Sequence, residues 1–92
     1  MYSKIVKLSQ ENKDKLLNGK ILIKAGTEAL ARQIVDSEKD GHYTLGEGSL
    51  FIFPYKDSTV GIDNTTGEAW TEEFGDYETC LAWLCGQFQI GD

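Results

Sequence analysis

The chain holds one histidine and two cysteines. These residues, His42, Cys80 and Cys85, are the types from which a nucleophile pair or a zinc site is built. A Cys–His nucleophile needs the thiol within hydrogen-bond reach of the imidazole. Both cysteines fall on or beside the apolar stripe of a helix predicted near the C-terminus, where a thiol behaves as an inert small hydrophobe. His42 stands beside a turn. A zinc site from the three lacks CxxC or HxxxH spacing. Five residues apart on one helix, Cys80 and Cys85 point in different directions and do not bridge each other, so free thiols are expected. Carboxylate catalysis requires two acids in unlike environments, and no pair is marked by spacing, Asp63 with Glu72 included. Gly46-Glu47-Gly48 lacks the further glycine and the lysine of a P-loop and reads as a turn or bulge. The expectation is a non-enzyme with no catalytic residue, no metal site and no cofactor.

The carboxylates are better read as a field than as catalysts. Residues 1–40 carry eight Lys/Arg against six Asp/Glu, a net of +2. Residues 41–92 carry only Lys56 against Glu47, Asp57, Asp63, Glu68, Glu72, Glu73, Asp76, Glu78 and Asp92, a net of −8. This asymmetry argues against direct binding of nucleic acid, which needs clustered cations, and suits a basic protein surface. The lysines of the first half are interspersed with Glu11 and Asp14 and read as a solvated face.

These side chains are positioned by one small domain, 1–92, of α+β class: an antiparallel β-meander packed by a C-terminal amphipathic helix, with one or two short N-terminal helices. Residues 3–8 read as a short strand or extended arm. Ser9 caps a helix through Leu17, and Gly19 stops it. Ile21–Ile23 reads as a buried strand. Thr27 caps a second helix over 28–37, with Leu30, Ala31, Ile34 and Val35 as its stripe. Tyr43–Leu45 is a candidate strand. Leu50–Phe53 is the strongest strand, with Pro54 ending it or marking a sheet edge. After a turn at Lys56-Asp57-Ser58 comes Thr59–Asp63, with Val60 and Ile62 on one face and Gly61 on the other. A turn at 64–67 leads to the strand Glu68–Phe74. Asp76 caps the last helix, whose apolar face is Tyr77, Cys80, Leu81, Leu84 and Phe88, widened at one edge by Trp83. No run approaches the length of a membrane helix. The N-terminus has no signal-peptide apolar segment, so the cytoplasm is the expected compartment.

Alternation on Glu68–Phe74 puts Trp70, Glu72 and Phe74 on one face and Ala69, Thr71 and Glu73 on the other. An acid between two aromatics is not a clean core pattern. Glu72 must therefore sit at the sheet margin, or a bulge near Glu72-Glu73 must shift the register. The candidate partner-binding set is Asp63, Glu68, Trp70, Glu72, Glu73 and Asp76, with Asp57 and Glu78 extending the negative surface. Solvation alone ordinarily produces surfaces of mixed sign.

The segments Asp63-Asn64-Thr65-Thr66-Gly67, Trp70-Thr71-Glu72-Glu73-Phe74 and Cys80-Leu81-Ala82-Trp83-Leu84 resemble the C-terminal signature of small proteins of phages and mobile elements of Gram-positive bacteria. The strand and closing helix are also similar to those of SMI1/KNR4-type immunity proteins. The resemblance spans residues 60–84, about a quarter of the chain. The first similarity implies an inhibitor of a bacterial nucleic-acid-handling defence enzyme, of anti-CRISPR or anti-restriction type, acting through a negative surface that imitates DNA. The second implies a protein that binds a toxin. The alternative reading is a toxin-immunity or housekeeping interaction module that uses an apolar margin of Tyr55, Trp70 and Trp83 as its contact. Either would act as a monomer or homodimer, and the resemblance implies the cytoplasm of a bacterial host cell.

Overall fold

The computed structural model describes residues 1–27, 29, 49–66 and 68–90. Apart from Ala29, the expected helix over 28–37 lies outside these residues. So do Tyr43–Leu45, His42, the Gly46-Glu47-Gly48 segment and Gly67. The described elements run α1 (Gln10–Leu17), β1 (Ile23–Ala25), β2 (Ser49–Tyr55), β3 (Ser58–Asn64), β4 (Trp70–Phe74) and α2 (Tyr77–Leu84). The fold is α+β, with α2 packed on a four-stranded sheet of order β1-β2-β3-β4.

The sheet is mixed rather than purely antiparallel. β2, β3 and β4 form the expected meander, and β1 adds a parallel neighbour through Ile23↔Leu50 and Ala25↔Ile52. The strand expected at Ile21–Ile23 is displaced to Ile23–Ala25. Ile21 and Ile23 are half-buried against the core and Leu22, 75% exposed, points to solvent, so an all-buried triplet was the wrong reading. Pro54 does not end β2, which continues to Tyr55. The Gly26 N–H binds the Ile52 carbonyl on the β1 side. Residue 54 shares that side by alternation, beyond the end of β1, where no described strand needs a proline N–H.

Two apolar clusters lie on opposite faces of the sheet. Phe51, Phe53, Val60 and Ile62 form one. Leu50, Ile52 and Phe74 form the other with Cys80, Trp83 and Leu84 of α2. Gly61 belongs to the second face, and its missing side chain lets α2 settle on β3. An added Cβ would meet Cys80, Trp83 and Leu84.

Both α1 and α2 start and stop as their sequences dictate. Ser9 Oγ accepts the Asn12 N–H, and Asp76 accepts the Thr79 N–H, each relieving an unpaired donor of the first turn. Gly19 and Gly86 take φ of +79° and +78°, which glycine adopts without penalty. After each, the next N–H closes a six-residue bond: Lys20 to the Lys15 carbonyl and Gln87 to the Ala82 carbonyl. α2 therefore stops at Leu84, short of the expected Phe88. Two positions of the predicted stripe change role. Tyr77 is 56% exposed, and Trp83, expected at the margin, is buried in the core. Phe88 still reaches the cluster and stacks on Tyr2, with ring centroids 5.3 Å apart.

The N-terminal segment is an arm rather than a strand. Only Tyr2 bridges β4, opposite Phe74. The rest is tied to α2 and the turn after it by side chains that bind arm backbone. Thr79 Oγ1 accepts the Val6 N–H at 2.9 Å, Glu78 accepts the Leu8 N–H at 2.8 Å, and Gln87 accepts the Ser9 N–H at 2.8 Å and donates to the Lys7 carbonyl at 2.7 Å.

Candidate functional site

β4 and the turn that precedes it carry most of the predicted site. Side chains of β3 hold the described residues of the turn. Asp63 Oδ1 accepts both the Thr65 N–H (3.0 Å) and its hydroxyl (2.6 Å), a local turn typical of aspartate. Asn64, almost wholly buried, accepts the Ala69 N–H at 3.0 Å. Ala69 itself takes φ +52°, a left-handed conformation uncommon without glycine. This turn sends the chain into Trp70, which lies opposite Asp63 across the β3–β4 ladder.

The ladder then runs without a bulge, Gly61↔Glu72 and Val60↔Glu73, so Glu72 sits at the margin of the sheet. Trp70 and Glu72 share the α2 face. The indole is 52% exposed, makes an edge contact with Trp83 at 6.5 Å, and donates its N–H to Glu72 Oε1 at 2.7 Å. This bond holds an aromatic plane and a carboxylate together at the surface. Asp63 lies on the same face, and Glu68 is exposed just before the strand.

The remaining two acids are placed differently. Glu73 lies on the opposite face, half-buried, and accepts the Ser58 hydroxyl at 2.5 Å. Asp76 is a helix cap whose carboxylate takes the Thr79 N–H (3.0 Å) and hydroxyl (2.9 Å). The six predicted residues thus divide into a surface group of Asp63, Glu68, Trp70 and Glu72, an acid on the reverse face, and a structural cap. Of the two flanking acids, Asp57 is exposed in the β2–β3 turn, and Glu78 is engaged by the arm.

Among the described residues the ion pair is Lys15–Glu11 at 3.3 Å, on α1. Within that same set, the acids of β4 and its turn are not paired with a lysine or arginine. No group of three His, Cys, Asp or Glu among the described residues stands close enough to hold a metal ion. No described helix is long and apolar enough to cross a membrane.

The thiols are both free. Burial beneath α2 pushes Cys80 up to about 12, so it stays a neutral thiol at neutral pH. Burial also raises Cys85, against a partial opposing pull from Lys15. Sequence reasoning missed the two side-chain systems that set the limits of the site: the arm held by Thr79, Glu78 and Gln87, and Tyr2 on the β4 edge. Arm and partners lie some seventy residues or more apart in the chain, and no local pattern links them.

Protein-family models, curated proteins and solved structures give no match to this chain.

Proposed function

We propose that this chain is a non-enzymatic protein-binding module that presents the acidic margin of β3 and β4 to a basic protein surface. The observation that carries this reading is the Trp70–Glu72 pair: a half-exposed indole fixed by its own N–H to a carboxylate. Tryptophan beside charge is the composition of interface anchors, and Asp63 and Glu68 add charge around it with no cationic partner among the described residues. The net of −8 in residues 41–92 supports a cationic partner. In its finer form the partner is a bacterial nucleic-acid-handling defence enzyme whose basic groove receives this surface. The charge distribution and the resemblance to small phage and mobile-element proteins support that form.

The test is affinity capture from bacterial lysate at low and high salt, using the wild type and the doubly reversed variant Glu68→Lys/Glu72→Lys. The wild type should retain basic proteins at low salt and release them as ionic strength rises. The variant should retain none of them. If its captured set equals that of the wild type, the acidic surface is not the contact. Salt-insensitive capture lost on Trp70→Ala would instead favour the immunity-type reading. That reading has less surface to draw on, because Trp83 is buried and Tyr55 only half exposed.

A further inference from the structure

Among the described residues, the outer side of β4 is occupied at only one end. Tyr2 donates its N–H to the Glu73 carbonyl (2.8 Å) and accepts the Gly75 N–H (3.2 Å), so the backbone groups of residues 73 and 75 point away from β3. Alternation along an antiparallel ladder turns those of Thr71 the same way, since Val60↔Glu73 and Ile62↔Thr71 are successive pairs of one kind. The Thr71 N–H and C=O and the Glu73 N–H therefore face outward. Among the described residues no backbone group meets them, and Thr71 is exposed. The Thr71 hydroxyl is engaged by the Ala69 carbonyl at 3.0 Å.

An unpaired strand edge is a template for another strand, and the flanking side chains select which strand. Two copies of β4 edge to edge would bring Glu72 and Glu73 against like charges, which is destabilising. An extended segment bearing lysine or arginine meets the opposite situation. Its alternate side chains fall on Glu72 and Trp70 on one face and on Glu73 on the other, and a cation beside the Trp70 indole gains further attraction.

We propose that the outer edge of β4, from Trp70 to Glu73, is a docking strip for an extended, lysine- or arginine-bearing segment of a partner protein. This segment pairs with the Thr71 N–H and C=O and the Glu73 N–H and sets its cations against Glu72 and Glu73. The proposal rests on the acidic-surface reading and adds a backbone pairing that charge alone does not require. Tyr2 closes the strip at its Glu73 end, so the paired stretch is short.

The probe is a synthetic peptide of alternating lysine and valine, compared with an analogue of the same sequence and charge whose backbone nitrogens are methylated. Affinity is measured by titration at low ionic strength, and amide exchange at Thr71 and Glu73 by NMR. The unmodified peptide should slow exchange at both amides, and the methylated one should bind about tenfold or more weakly. Thr71→Pro removes an N–H that takes no part in the β3–β4 ladder. It also deletes the Thr71 hydroxyl bond to the Ala69 carbonyl, and should reproduce that loss in a chain that still folds cooperatively. If the proline variant does not fold, the comparison of peptides on the wild-type chain decides. Equal affinity of the two peptides with no slowing at Thr71 overturns the pairing and leaves the acidic-surface reading standing. Absence of binding by either peptide also overturns the pairing, and the Glu68→Lys/Glu72→Lys capture then judges the surface reading by itself.

Discussion

Gly61 of β3 lies directly beneath Cys80 of α2: a Cβ at position 61 would stand 2.8 Å from the Cys80 Sγ, 3.3 Å from Trp83 and 3.4 Å from Leu84. The seat of the closing helix is thus set by one absent side chain. Gly61→Ala should cost about 1–3 kcal/mol through overpacking, measured by urea denaturation. In a Cys80→Ala background the sulfur is gone, and the same substitution should cost less, with a coupling of roughly 0.5 kcal/mol or more. Additive costs would mean that the helix shifts rather than the sulfur yielding.

Thr79 fixes a second junction. Wholly buried, its hydroxyl accepts the Val6 N–H at 2.9 Å and donates to Asp76 Oδ2 at 2.9 Å. Thr79→Val keeps the shape, leaves the Val6 N–H without its acceptor and leaves Asp76 Oδ2 with the Thr79 N–H alone, at a cost of about 1–3 kcal/mol. Faster amide exchange at Val6 and Leu8 should accompany the loss, because Glu78 would then hold the arm with less help. Asp76→Ala should cost about 1 kcal/mol as a lost cap. Neither change should alter the salt dependence of partner binding, since both act inside the fold.

The fold was legible where local chemistry decides it. Ser9 and Asp76 announced their helices, Gly19 its stop, and the alternation of Val60, Gly61 and Ile62 the two faces of β3. Reading failed where distant parts of the chain decide. β1 lies two residues later than expected because its partner is Leu50–Ile52, which no pattern at Ile21 reveals. Trp83 reads as marginal on the helix stripe, but the bare surface of Gly61 leaves room for its indole to pack on Phe74, centroids 5.4 Å apart. The site was legible as a composition and not as a surface. Period two put Glu72 and Glu73 on opposite faces, and Asp76 carried a cap signature. The division among surface, reverse face and cap nevertheless needed the Trp70–Glu72 and Ser58–Glu73 bonds to become visible.

Cys80 makes stability depend on pH in a defined window. Burial raises its folded-state value from 9.0 to about 12. Above the unfolded value the unfolded chain loses the thiol proton while the folded chain keeps it, so stability must fall as pH rises from about 9 toward 12. The slope from this group is at most about 1.4 kcal/mol per pH unit. Below the unfolded value both states hold the proton and the contribution is flat. Denaturation midpoints across that range, wild type against Cys80→Ala, isolate the contribution of this thiol. Parallel profiles would show that the sulfur is more accessible than its packing against Gly61 implies.

Trp70 and Trp83 touch edge to face, 52% and 8% exposed, and should separate cleanly by experiment. Trp83→Ala opens the cluster of Phe74, Cys80 and Leu84 and should cost about 3–5 kcal/mol in stability. Trp70→Ala removes a side chain that is half in water and should stay within about 1 kcal/mol. Binding should reverse the order. As an anchor held by Glu72, Trp70 should cost the partner complex about 2 kcal/mol or more on truncation. Glu72→Gln keeps an acceptor for the indole N–H but deletes the charge, so it should weaken binding at low salt and converge on the wild type at high salt. A Glu72→Gln loss that persists undiminished at high salt would mean that charge does not explain the site.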